Sequence, residues 1–136
     1  MKGVLVDTSV WIDFFNDIST KEAELLHSYI ETDFPVYICA TILQEILQGF
    51  SRDKDYQIAK DLLLSYPFLQ TDPVEFAMGA AELYRRVKKR GKTIRKSNDC
   101  LIAYHAIFYH VPILHRDRDF SIISQHSKLK VVQTVV

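Results

Sequence analysis

The sequence has few cysteines, no excess of charge of either sign and no long apolar run. Cys39 and Cys100 are its two cysteines, and they stand in apolar surroundings with no CxxC or Cys/His spacing. That excludes a zinc site of the usual pattern and a disulfide framework, and makes a reducing, cytoplasmic setting the default expectation. Lys and Arg number 17 and Asp and Glu 17, giving a formal net charge of zero, so bulk charge gives no sign of a polyanion partner. The apolar stretch from Met1 to Val6 runs directly into Asp7, which is too short for a signal-peptide core or a membrane span. Internal repeats, low-complexity tracts and linkers are missing as well. The 136 residues fill one domain of ordinary size without room for a second core, so residues 1–136 are expected to form a single domain.

What is present is an ordinary globular composition, 48% hydrophobic and 25% charged, which allows a packed core. The charge is unevenly placed. Eight of the twelve residues from Arg85 to Lys96 are Lys or Arg, and no acid occurs between Glu82 and Asp99. Such a block attracts phosphates, and equally it is what a solvated helix end with cations at its negative pole looks like.

Gly3 to Val6 is a short apolar, partly β-branched run ending at a carboxylate, the pattern of a strand buried on both faces of a parallel sheet. Val10, Trp11, Phe14 and Phe15 then follow at helical spacing. Ser19 with Glu22 resembles a capping box opening a second helix through about Ile30, and Pro35 breaks it. Val36 to Ala40 reads as a second strand. Thr41 with Gln44 resembles another capping box, starting the helix that carries Glu45. Lys54 to Tyr66 is amphipathic, and Pro67 ends it before a short strand at 68–70. Asp72-Pro73 opens a long helix that ends at Gly91, and Ser97 opens another that ends before Pro112. Ile113-Leu114 and Leu129 to Val132 complete the strands. Strands alternating with helices predict right-handed crossovers, hence a three-layer α/β/α sandwich around a central parallel sheet of about five strands.

In such sheets ligands bind beyond the carboxyl ends of the strands, where strand order reverses. Asp7 and Asp117 follow strands, while Glu45 and Asp99 are expected early on helices that start at the same edge. Each acid alone has an ordinary structural explanation, as a helix cap, a surface glutamate or a first-turn acid. Together in one cleft they would repel one another at a cost of several kcal/mol, a conflict that a divalent cation resolves. An all-oxygen ligand set favours Mg²⁺ or Mn²⁺ over zinc. The histidines His27, His105, His110, His115 and His126 show no HExxH-type pairing and read as surface or satisfied core residues. Metal-assisted phosphodiester hydrolysis is the reaction this chemistry suits.

The run Asp7-Thr8-Ser9-Val10-Trp11-Ile12-Asp13, the helix with Glu45 and Gly49, Ser97-Asn98-Asp99 before Leu101-Ile102-Ala103, and Arg116-Asp117-Arg118-Asp119-Phe120 together resemble the PIN domain of VapC toxins, in order and over essentially the whole chain. The resemblance implies a Mg²⁺- or Mn²⁺-dependent endoribonuclease acting on tRNA, rRNA or mRNA. It also implies inhibition by a cognate VapB-like antitoxin and assembly as a homodimer. It makes Asp7, Glu45, Asp99 and Asp117 the acidic quartet, Asp119 a fifth metal ligand and Ser9 the hydroxyl that orients Asp7. The sequence departs from the family at His115, where Thr or Ser is usual two residues before the fourth acid; an incidental surface role is expected for it. Lys88, Lys89, Arg90, Lys92, Arg95 and Lys96 are expected beside the acidic cleft, holding RNA phosphates. Trp11, Phe14, Phe15, Leu25, Leu26, Tyr29, Ile30, Phe50 and Tyr56 look like more large apolar side chains than short helices can bury, which points to an interface.

Two other strand-then-aspartate folds fit less well. A phosphatase of the haloacid-dehalogenase type needs a second acid two residues after the first, where this chain has Ser9, and a phospho-accepting receiver domain needs a lysine at a later strand end. A non-catalytic PIN-fold regulator acting with a DNA-binding partner is the main alternative, and metal-dependent RNA cleavage separates it from an enzyme.

Overall fold

The computed structural model describes residues 2–134; Met1, Val135 and Val136, which the expected domain of 1–136 includes, lie outside the described residues. Three strands, β1 (Val4–Val6), β2 (Val36–Tyr37) and β3 (Ile113–Leu114), form a parallel sheet in the order β2-β1-β3. Val4 pairs with Val36, and Val6 with Leu114. The expected fourth and fifth strands shrink to single parallel bridges, Ile38 with Phe68 on one side and Ile113 with Val131 on the other. Beyond each bridge the chain leaves the ladder, so among the described residues the sheet has three strands where about five were expected. The parallel α/β class holds.

The order matters more than the count. β1 is followed by β2 on one side and, much later in the chain, by β3 on the other. The reversal point of the sheet therefore lies between β1 and β3, and Asp7 and Asp117 stand just beyond the ends of these two strands.

Seven helices among the described residues flank the sheet: α1 (Thr8–Phe15), α2 (Lys21–Glu31), α3 (Ala40–Leu47), α4 (Asp53–Leu63), α5 (Pro73–Lys89), α6 (Asn98–Phe108) and α7 (Arg118–Gln125). Asp72 caps α5 as expected, its side chain accepting from the N–H groups of Val74 and Glu75, with Pro73 at the first turn. The two expected capping boxes form differently. Thr20, one residue beyond Ser19, caps α2 by accepting from the Ala23 N–H. α3 begins after Cys39, with no side-chain cap, because β2 ends early. Glu45 consequently lies in the second turn of α3 rather than near its start.

Leu5, Val6, Trp11, Ile38, Ile42, Ile102, Ile113, Leu114 and Phe120 are fully buried in one core. Of the apolar residues expected in surplus, Trp11 and Leu26 are fully buried, and Phe14, Phe15, Leu25, Tyr29, Ile30 and Phe50 pack against the core in part. Tyr56 alone of the nine is counted among the exposed large side chains. No helix among the described residues is long and apolar enough to cross a membrane.

Candidate active site

Asp7 ends β1 and caps α1. Its Oδ2 accepts from the Ser9 N–H at 3.1 Å and from the Ser9 hydroxyl at 2.6 Å. The same hydroxyl accepts from the Arg116 N–H at 3.1 Å. Ser9 thus fastens the ends of β1 and β3 together while holding Asp7 in place. Asp117 repeats the arrangement at β3: it caps α7, its Oδ1 accepting from the Asp119 N–H at 2.9 Å, while its Oδ2 forms an ion pair with the Lys96 ammonium. In both cases the cap and the candidate site residue are the same carboxylate, so the structural and chemical explanations do not compete.

Asp99 lies in the first turn of α6 and is buried. Asp119 is completely buried, and its Oδ2 accepts from the N–H groups of Arg95 and Lys96 at 3.0 and 3.2 Å. Asp99, Asp117 and Asp119 each offer an oxygen, all within 4.8 Å of one another. Glu45, half-buried, accepts from the Thr8 hydroxyl at 2.6 Å and from the Asn98 amide at 3.5 Å, which ties it to the first turns of α1 and α6. Asp99, Asp117 and Asp119 thus form the close cluster, and Asp7 and Glu45 adjoin it through their charges, Asp7 acting on Asp99 and Glu45 on Asp7.

The electrostatics are those of crowded, buried like charges. Burial pushes the Asp7 carboxyl up to about 6 against the two Ser9 hydrogen bonds, with the Glu45 charge adding to the rise. Asp99 is pushed up to about 8, first by burial and then by the charges of Asp7 and Asp117. Asp117 goes the other way: burial raises it, but the Lys96 and Asp119 hydrogen bonds and the charges of Lys96 and Arg95 outweigh burial and hold it below its ordinary value. Asp99 Oδ2 and Asp119 Oδ1 are buried without a hydrogen-bond partner. Arg95 Nε stands 3.9 Å from Asp119 Oδ1, beyond hydrogen-bond distance. Buried polar atoms are normally satisfied, so carboxylate oxygens without hydrogen bonds inside an acidic cluster fit a hard divalent cation.

His115 has a definite task that the sequence reading missed. It is half-buried, packs on Phe120, and its Nδ1 accepts from the Asp117 N–H at 3.1 Å. A Ser or Thr hydroxyl makes the same kind of contact two residues on, so the imidazole does here what a hydroxyl at this position would do. Burial holds the ring below its ordinary pKa, consistent with a nitrogen that accepts. His105 is the satisfied core residue expected of it, held between the Thr71 hydroxyl at 2.7 Å and the Leu101 carbonyl at 2.8 Å.

Also missed was the buried Asp13, which pairs with the Arg116 guanidinium; Arg116 Nε lies 3.9 Å from Glu22 as well. The signal was present: three residues from Val10, Asp13 falls on the inward side of α1, where a carboxylate requires a cation. Of the basic block, Lys96 by its ammonium and Arg95 by its N–H and a 3.9 Å ion pair reach the acids. Lys88, Lys89, Arg90 and Lys92 are exposed on the end of α5 and the loop after it.

The model of the PIN domain matches residues 4–125. Ribonuclease VapC11 of Mycobacterium tuberculosis is 34% identical over 128 residues, covering 93% of this chain and 96% of that protein. VapC ribonuclease Mb1587 of Mycobacterium bovis matches to the same extent. Among solved structures, VapBC2 from Rickettsia felis bound to a promoter DNA fragment is similar with a TM-score of 0.72 at 18% identity, covering 95% of this chain and 96% of that one. VapBC-1 from nontypeable Haemophilus influenzae gives a TM-score of 0.71, also at 18% identity, with the same coverage.

Proposed function

This chain belongs to the PIN-domain family, in its VapC branch, and we propose that it is a Mg²⁺- or Mn²⁺-dependent endoribonuclease, the toxin of a toxin–antitoxin pair. The observation that carries the reading is the set of buried acids Asp99, Asp117 and Asp119, with oxygens within 4.8 Å of one another and with Asp99 Oδ2 and Asp119 Oδ1 buried without a hydrogen bond. Asp7 and Glu45 complete the ligand set. A divalent cation held by these residues supplies a positive charge for a phosphate oxygen and a water of lowered pKa.

The chain's own groups set the geometry for that chemistry. Ser9 fixes the direction of Asp7 and spans to the end of β3. The Thr8 hydroxyl and the Asn98 amide hold the Glu45 carboxylate beside the starts of α1 and α6. Asp119 anchors the 95–96 backbone, bringing the end of the basic block to the rim. RNA phosphates then meet cations at the rim and acids within, which suits a backbone-directed nuclease. The retained acid set favours an enzyme over a non-catalytic regulator. A VapB-like antitoxin is an expected partner, in keeping with similar structures described as VapBC, and a second copy of the chain is the other.

The test is cleavage of total RNA by purified protein with Mg²⁺ or Mn²⁺, with EDTA, and with the protein encoded by the adjacent reading frame. Cleavage should require the metal, disappear in Asp7→Asn and Asp99→Asn, and be suppressed by the partner. Undiminished cleavage in EDTA or in either variant would refute the metal-nuclease reading.

A further inference from the structure

Asp117 has its two oxygens committed in different ways. Oδ1 accepts the Asp119 N–H and closes the first turn of α7; Oδ2 faces the Lys96 ammonium. Each carboxylate oxygen keeps a second lone pair, so a divalent cation need not break the cap, whose N–H donor is neutral. At Oδ2 the cation would share the oxygen with an ammonium, and two cations that close repel. The lysine is the group free to move: its side chain is 59% exposed, and an ammonium on a four-carbon stem is mobile and well hydrated.

The root of Lys96 is fixed where its tip is not. Its N–H and that of Arg95 donate to the completely buried Asp119, so the backbone stays at the wall of the cleft whichever way the side chain turns. Ile94, buried just before, pins the same segment from the core side. Lys96 is thus a tethered cation at the junction between the acids and the exposed basic block, able to reach Asp117 or the rim but not both at once.

We propose that Lys96 is a built-in counter-ion that competes with the divalent cation for Asp117 and, once displaced, turns to the rim to hold an RNA phosphate. The proposal rests on the metal-nuclease reading and adds a consequence to it: metal and RNA binding are coupled through one side chain. Metal frees the lysine that RNA uses, and RNA holds the lysine away from the oxygen that metal uses. Such coupling is reciprocal by necessity.

The experiment is calorimetric titration of Mn²⁺ into the full-length protein, its Lys96→Met and Lys96→Gln variants, and Lys92→Met. Loss of the competing ammonium should tighten Mn²⁺ binding about tenfold in both Lys96 variants, within the usual range of such couplings. Lys92→Met, an exposed cation of the same block, should change it much less, since a general loss of positive charge would act on both positions alike. With a phosphorothioate-linked RNA, which resists cleavage and leaves every metal ligand in place, saturating Mn²⁺ should strengthen RNA binding with Lys96 present and do so less in Lys96→Met. Equal or weaker Mn²⁺ binding by the Lys96 variants, with normal binding by the parent, would overturn this proposal alone. Absence of Mn²⁺ binding in parent and Lys96 variants alike would overturn the metal reading with it.

Discussion

A carboxyl group that is buried and faced by other carboxylates is held against its ionised form, and Asp99 carries most of that burden, its pKa raised to about 8 where Asp7 is raised to about 6. Between the ordinary carboxylate value and about 8, the unfolded chain has released this proton while the folded chain still holds it. The folded state then binds more protons, so stability falls as pH rises through this window and is greatest below it. Without metal, Asp99→Asn should melt roughly 3–8 °C higher than the parent at pH 8, a gain of the order of 1–2 kcal/mol after allowance for solvent screening. At pH 4, where both side chains are neutral, the two should nearly coincide. Thermal scans in EDTA at the two pH values decide this; a variant less stable at pH 8 would mean that Asp99 is not strained by its neighbours. Stability gained at the expense of activity is typical of functional sites. Single-residue roles were unevenly legible in the sequence: Asp7, Asp99 and Asp117 stood at strand and helix ends where position alone marks them. The contact of His115 with the Asp117 N–H was not legible, because nothing in a residue type says that an imidazole will do the work of a hydroxyl.

Elements deliver these residues to the cleft, and α6 delivers Asp99 through its packing on α5. The two helices meet at Gly79, where an added Cβ would lie 2.1 Å from Cε1 of the Tyr104 ring. Alanine in place of a mid-helix glycine ordinarily stabilises by about 1 kcal/mol. Here it forces the half-buried ring, or the whole of α6, to move, and overpacking of this kind costs roughly 1–3 kcal/mol. Gly79→Ala should therefore be net destabilising in urea unfolding, and Tyr104→Ala in the same chain should recover part of the loss. A more stable Gly79→Ala would show that the helices are not in tight contact there. Helix starts with strong local chemistry, such as Asp72-Pro73, were readable because a cap is decided within four residues. The expected boxes at Ser19 and Thr41 moved because the chain chose Thr20 for one cap and ended β2 early before the other. The outer strands were the least legible: pairing at 68 and 131 depends on how far the neighbouring segment follows the sheet twist, which no local pattern encodes, and one bridge each is what remains.

Over the whole molecule a net charge of zero conceals a separation, with acids buried in the cleft and cations exposed from the end of α5 to the loop that reaches its rim. The order of the strands, with its reversal between β1 and β3, was not legible: alternating strands and helices predict parallel pairing with right-handed crossovers but leave several orders open. That the acids would converge followed from a more general rule, that ligand groups gather beyond the carboxyl ends of parallel strands. What the sequence left open was whether the basic block served the cleft or merely ended a helix, and geometry favours the first for Arg95 and Lys96. Lys88, Lys89 and Arg90 extend from the end of α5, exposed and, among the described residues, without an ion pair assigned to them. If these three hold phosphates, replacing all of them by alanine should lower RNA affinity at low salt and reduce the slope of log affinity against log salt by about 2, since each contact with a single strand contributes roughly 0.7. Filter binding across a salt series, in the Asp7→Asn background so that the RNA survives, measures both quantities at once. The cleft itself is untouched by this change, so Mn²⁺ affinity should stay as in the parent, which separates loss of phosphate contacts from damage to the site. An unchanged affinity and slope would leave those three side chains as the solvated end of α5, with RNA held by the rim residues alone.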